Sequence, residues 1–472
     1  MIALPYPMER ASRLGHVDTV RNAAVQEALQ RWTITSNRPD SSSEVEALCR
    51  PLTDLAPIGR PEDVEFSITV DGSDTEVEAT RDHPTVKVGY LRVAGSMVRL
   101  DSFRTLATQR YIDPRDVRSA HTQYAFDVAL PGSQLVRPGL SGVDTWRTEL
   151  DTFLSSARFD SSTEMTLADG LLALHGTRGR PAGRVTLRVC PGCGVKADQG
   201  AAITVGADGG ECPACRAPLY LSDVLRTHEE YSIEGSNFTP MGRVMTATER
   251  LMSVCYLNFF AANAPEVLRH TLFITDGPLA LFGPLAPLKR RFVEHLSDLA
   301  AWCVEQGLPG PLMVGIEKSG TFVEHAALIG DLIPPGSVMR LPNEYINRIC
   351  GRPPANRYGI DEYYGRRFIY RTSAGDPLVL TVPPAPGLSP YDGGEAVEGF
   401  DAYPTLRLIC EILDSLRTHM YQNAVVPVAL AHSAAALPLG VGRSVLTMMA
   451  QENIPELKVD VQAVKRPSYF PA

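Results

Sequence analysis

Two aspartates far apart in the chain stand in the same local setting. Asp71 follows the run ITV in ITVDGS and Asp276 follows LFIT in LFITDGPL, and each is succeeded by glycine. Short apolar, β-branched runs read as strands, so both carboxylates are expected at strand ends. Carboxylates brought together over one sheet edge repel, and a divalent cation relieves that repulsion. Hard oxygen ligands favour magnesium or manganese, and such an ion activates water for phosphodiester hydrolysis. Taken singly, each Asp-Gly also reads as a hairpin turn, so the chemistry depends on the fold bringing the two together.

A second constellation is VCPGCG followed by GGECPACRAP. Cys190 and Cys193, then Cys212 and Cys215, each enclose two residues, with eighteen residues between the pairs. That spacing predicts a four-thiolate zinc ribbon, a closed structural site with no open position for water. The remaining cysteines, Cys49, Cys255, Cys303, Cys350 and Cys410, are odd in number and scattered singly in mostly apolar surroundings. They read as reduced, buried thiols.

The elements that must carry these groups follow from the hydrophobic pattern. Residues 1–60 read as a polar, helical accessory segment broken at TSNRPDSSSE. From Asp63 the period becomes two, in VEFSITV, TVKVGYLRV and SMVRLDSF, which predicts three antiparallel strands with turns at Gly72 and Gly95. Residues 105–180 yield only one helix, VDTWRTELDTFLSSA. Beyond the cysteines, GRVMTATERLMSVCYLNFFAAN predicts a long amphipathic helix. Strand TLFITD, a helix within PLKRRFVEHLSDLAAWCVEQG, strand PLMVGIEK and helix TFVEHAALIGDLI then alternate as in an α/β layer. The tail adds strands around RRFIYRTSAGDPLVLTVPP, a Pro/Gly loop at 383–394 and a helix over 403–421. The expected units are an accessory segment at 1–60, a core in two parts at 61–184 and 223–472, and a zinc ribbon insert at 185–222.

The pieces ITVDGS, LFITDGPL, MVGIEKSG and PVALAHSAAAL, in that order, resemble the NurA nuclease family over residues of about 65 to 437. The resemblance implies an α/β, ribonuclease H-like mixed sheet flanked by helices, here with a small zinc-ribbon insert. It implies Asp71, Asp276, Glu249 and His432 around manganese or magnesium, with Lys318 of the third motif on the scissile phosphate. Glu249 is taken from ATERLM, on the helix preceding the second aspartate strand. Glu149 in TWRTELDTFL with Asp169 in TLADGLLALHG forms a second-ranked pair. The family's tyrosine before the proline of the last motif has no counterpart, since NAVVP stands there and the nearest tyrosine is Tyr421. The resemblance also implies a homodimer acting on DNA with a HerA-type hexameric ATPase, and the chain has no G-x-x-x-x-G-K-[ST] loop of its own.

Composition sets bounds. The 472 residues suffice for a large core, and 44% hydrophobic with 21% charged residues is ordinary for a globular protein. A net charge of −9 argues against an unaided grip on long nucleic acid. Locally, residues 338–371 hold seven arginines, and Arg366, Arg367 and Arg371, interleaved with Tyr363, Tyr364, Phe368 and Tyr370, read as a single-strand channel. No apolar run reaches the length of a membrane span and the N-terminal stretch lacks a signal-peptide core, so a cytoplasmic location without membrane contact is expected. The reading is a metal-dependent DNA nuclease in end processing, repair or defence. The rival is a non-catalytic zinc-ribbon scaffold or nucleic-acid-binding subunit on the same fold.

Overall fold

The computed structural model describes residues 15–32, 42–80, 83–107, 114–178, 180–197, 202–416, 425–437 and 441–454. Tyr421 and the end of the helix expected over 403–421 lie outside them. The β-branched runs form one mixed sheet: β1 (Cys49–Pro51), β2 (Phe66–Glu78), β3 (Lys87–Arg99), β4 (His121–Pro131), β5 (Thr271–Asp276), β6 (Leu312–Glu317), β7 (Ser337–Arg340), β8 (Arg366–Arg371) and β9 (Pro377–Val382). In space the order is β1-β7-β8-β9-β6-β5-β2-β3-β4, with β2, β5 and β6 mutually parallel and every other pairing antiparallel. Residues 49–51, expected within the accessory segment, are the edge strand of this sheet. Among the described residues, no helix is long and apolar enough to cross a membrane.

The sequence expectation of turns at Gly72 and Gly95 is corrected. β2 and β3 pair without interruption from Phe66↔Arg99 to Glu78↔Lys87, so TVKVGYLRV and SMVRLDSF belong to one strand and the third strand is β4. Both glycines face helix α3 (Phe238–Asn263), as does Gly89. A Cβ at Gly72 would stand 2.6 Å from Met245 Cγ and 3.0 Å from Glu249 Oε1, and one at Gly95 would stand 3.1 Å from the Tyr256 hydroxyl. The glycines therefore mark close approach of a helix, the second reason for glycine inside a strand. Gly72→Ala should destabilise the protein by about 1–3 kcal/mol through this overpacking, read as a lower urea midpoint with unchanged slope.

Alternation assigns the two faces of β2. Even positions face α3: Val70 and Gly72 lie there, and Glu76 accepts from the Asn237 backbone N–H at 2.9 Å and the Ser236 hydroxyl at 2.5 Å at the helix start. Odd positions face the opposite layer, which includes helix α4 (Val426–Ala435). This division is the period-two geometry of a strand covered on both sides.

The stretch that resisted sequence reading contains β4 and two helices, α1 (Gly142–Ser156) and α2 (Leu167–His175). Thr166 and Asp169 form a reciprocal capping box at the start of the second. Asp169 is thus spent on its own helix, and Glu149 on Arg137 at 2.5 Å.

Candidate metal centre

The central parallel strands set the site. β2 and β5 run in register from Phe66↔Thr271 to Val70↔Thr275, and β5 then ends at Asp276. Gly277, at φ +94°, turns the chain away while its N–H donates to the Ile316 carbonyl at 2.8 Å. Positive φ at this point suits glycine. Asp71 is consequently the first residue of β2 beyond its parallel partner, and it lies beside Asp276. The second Asp-Gly is a strand end as expected. The first sits within a longer strand, at the place where its neighbour stops.

Asp71 points to the α4 face. His432 Nδ1 of α4 lies 2.9 Å from Asp71 Oδ2 and, opposite a carboxylate, is the donor. Three bonds fasten the end of α4 to the sheet: Ser73 Oγ donates to the Ala435 carbonyl at 2.6 Å, the Leu437 N–H donates to Ser73 Oγ at 2.9 Å, and Arg92 Nε donates to the Ala434 carbonyl at 3.0 Å. Ser73 shares its face with Asp71 because it is two residues on. The D-G-S triplet therefore holds a candidate ligand, a space for α3 and an anchor for α4. Sequence reading used only the first, although the period-two spacing pointed to Ser73.

Ligating atoms of Asp71, Asp276 and His432 all lie within 4.8 Å of one another. Lys318, just past β6, places Nζ 2.5 Å from Asp276 Oδ2. Glu249 comes from the other face, with Oε1 against Gly72, and stands outside the three-residue cluster. Burial pushes its carboxyl up to about 8; Arg250 opposes that shift, while the charges of Asp71 and Asp276 add to it. Arg250, missed in the sequence, reaches Glu249 Oε2 at 3.2 Å and the Pro278 carbonyl at 3.2 Å, joining the helix to the turn after Asp276. Burial and then Asp276 raise the Asp71 carboxyl above its ordinary value, against the lowering effects of His432 and Lys318. Two carboxylate oxygens with one imidazole nitrogen form a hard-to-borderline donor set that fits manganese or magnesium.

The four cysteines also converge. Cys190 and Cys215 sulfurs are 3.8 Å apart and those of Cys193 and Cys212 3.9 Å. A tetrahedral zinc with bonds of about 2.3 Å requires edges of about 3.8 Å, so the set fits a closed zinc site. Both knuckles fold alike: the Gly194 N–H donates to the Cys190 carbonyl and the Arg216 N–H to the Cys212 carbonyl, each at 2.9 Å, with positive φ at Gly194 and Arg216. Backbone donation from Cys215 brings the Cys212 thiol down to about 6, toward the thiolate that ligation requires.

The single-strand channel expected at Arg366 and Arg367 is corrected by burial. They are 0% and 1% exposed on β8, an interior strand. Arg366 donates to the Pro390 and Leu341 carbonyls, each at 2.7 Å. Arg367 pairs with Glu317 at 2.6 Å, donates to the Tyr358 and Tyr363 hydroxyls, and lies 3.6 Å from the Phe322 ring centroid. Of the interleaved aromatics only Tyr363 joins Tyr358 and Phe322 in the cage around this buried cation, while Tyr364 stacks on Phe292 and Phe368 packs on Phe400 and Tyr403. Arg371 donates to the Ile333 carbonyl at 2.7 Å and the Gly375 carbonyl at 3.1 Å. Arg367→Ala would leave Glu317 buried without its partner. It should cost about 3–5 kcal/mol of stability, measured by chemical denaturation.

No family model matches the chain, and no curated protein matches it. Among solved structures, the crystal structure of the NurA nuclease from Sulfolobus solfataricus is similar over 97% of this chain and 98% of that one, at 8% identity and a TM-score of 0.35. A second structure, described as the crystal structure of NurA, covers 93% of this chain and 98% of its own at 10% identity and a TM-score of 0.26. Similarity this loose carries no argument about individual residues. The class defined by the geometry is a mixed α/β protein with a large mixed sheet flanked by helices and two convergent ligand clusters.

Proposed function

We propose that this protein is a manganese- or magnesium-dependent deoxyribonuclease of the NurA type on a ribonuclease H-like core. The observation that carries the reading is the convergence of Asp71, Asp276 and His432 within 4.8 Å, from two parallel strands and a helix on one face. The core reading rests on the five strands β4-β3-β2-β5-β6, in which the parallel trio places both aspartates at one point of the sheet.

A divalent ion held by Asp71, Asp276 and His432 would supply Lewis acidity toward the phosphate and a more acidic water. The 2.9 Å contact between Asp71 Oδ2 and His432 Nδ1 holds the imidazole beside the two carboxylates. Lys318 is placed to move from Asp276 to a scissile phosphate, where its charge offsets the charge developing on oxygen. Glu249, holding a proton near neutral pH on the other face of the sheet, limits the negative charge that gathers around Asp71 and Asp276.

The four-cysteine insert binds structural zinc in this reading. The protein works in the cytoplasm as a homodimer, with a HerA-type hexameric ATPase feeding it duplex DNA for end processing, repair or defence. The net charge of −9 supports that division of labour, because the motor would supply the electrostatic hold. The test is digestion of linear duplex DNA with manganese. The isolated chain should cut weakly, and rate and extent should rise with the ATPase and ATP but not with a motor that cannot hydrolyse ATP. Full processive digestion by the chain alone would refute the partnership, and no digestion under any condition would refute the nuclease reading.

A further inference from the structure

A cavity of about 730 Å³ lies between the first cysteine knuckle and the start of the helix Lys289–Glu305, away from the candidate metal centre. That volume is in the range of sites that take small ligands. Five arginines line it: Arg184, Arg188, Arg226, Arg290 and Arg291. The lining acids are two, Asp223 and Glu229, and both are engaged. Asp223 is held by buried Arg147 at 2.7 Å, and Glu229 by Arg226 at 2.7 and 2.8 Å. Arg290 and Arg291 share one further carboxylate, Glu294, at 2.7 and 2.9 Å, which leaves a positive charge over. The Arg188 side chain makes no hydrogen bond or ion pair among the described residues. In a chain of net charge −9, this concentration of cations with few anions is a local reversal of sign.

A polar group on the wall is also unfilled. His175 lines the cavity, and its Nε2 is buried with no hydrogen-bond partner. Burial, followed by the nearby Arg291, brings this imidazole down to about 4, so it is neutral at neutral pH and offers Nε2 as a single donor or acceptor. Cations with fork-shaped donors and one neutral imidazole suit phosphate oxygens, which accept several hydrogen bonds at once.

From the cavity, its five arginines and the unpartnered His175 nitrogen, we propose a second binding site, for a phosphate-bearing ligand, formed jointly by the cysteine knuckle and the helix start. Two sources share that chemistry: the backbone phosphates of a single-stranded DNA segment, and the phosphate chain of a free nucleotide. The site is independent of the nuclease reading, since none of its residues belongs to the Asp71, Asp276 and His432 cluster.

The experiment is equilibrium binding without added divalent metal. A short single-stranded oligonucleotide is followed by fluorescence anisotropy and ATP by calorimetry. The full chain is compared with a double variant, Arg188→Glu with Arg291→Glu, and with Lys196→Glu on the ribbon as a surface-charge control. Both arginines are exposed, so the variant should fold; zinc content and melting temperature check this. If the oligonucleotide is the ligand, the variant should bind at least about tenfold more weakly. Its log–log salt slope should also be smaller by about 1 to 1.5. If a free nucleotide is the ligand, ATP binding should fall by a similar factor while the oligonucleotide is unaffected. Equal loss in Lys196→Glu, undiminished binding of both probes by the double variant, or no binding of either by the parent would overturn the proposal.

Discussion

Replacing Asp71 or Asp276 by asparagine should lower manganese-dependent cleavage by at least about a thousandfold while leaving the protein folded. Each carboxylate is one of the three candidate ligands in the cluster, so in the proposed reading its loss removes both a ligand and a charge from the same point. The stability effect of Asp71→Asn should have the opposite sign to that of an ordinary buried deletion. The Asp71 carboxyl is raised above its ordinary value by burial and by Asp276. Its ionised form therefore opposes folding at neutral pH, and this opposition fades as pH falls through the raised value. A neutral amide of the same shape relieves the repulsion and can still accept from His432 Nδ1. The melting temperature without metal should be unchanged or higher, and added manganese should raise it in the parent more than in the variant. Cleavage that survives both substitutions would leave the non-catalytic scaffold as the better account.

The second large effect is expected at the cysteines. Cys190→Ser or Cys212→Ser should abolish stoichiometric zinc, measured by elemental analysis, and should lead to aggregation or loss of soluble protein. Structural zinc contributes about 10–16 kcal/mol of apparent binding energy in small zinc modules, and that energy is folding energy. The insert here is not a detached appendage. Cys190 and Cys212 are buried, and Leu187, Ile203, Val205 and Leu219 around them belong to the same apolar cluster as Trp146, Leu251 and Phe273 of the main body. Loss of the ion should spread into that core. Full zinc loss with an unchanged thermal transition would show that the sulfurs do not support the fold.

The residues that the chain could reveal on its own were those whose chemistry is local. The two cysteine pairs are legible because a four-thiolate site fixes its spacing within each knuckle. The strands ending at Asp276 and leading into Lys318 are legible because β-branched runs bounded by glycine need no distant partner to be read. Period two failed where glycine served packing: Gly72 and Gly95 look like turns in sequence, and only the close passage of Met245, Glu249 and Tyr256 explains them. It failed again at Arg366 and Arg367, since a string of arginines and tyrosines has the same composition on a surface as in a cage. Burial on β8 depends on strands and helices far away in the chain. The candidate site itself is a tertiary fact. Asp71 meets Asp276 because the parallel register of β2 and β5, which runs to Val70↔Thr275, puts them side by side at its next position. His432 joins them because Ser73 and Arg92 hold α4 against that face. Side-chain types come from the sequence, but register and approach between distant strands are set by packing, which no short motif encodes.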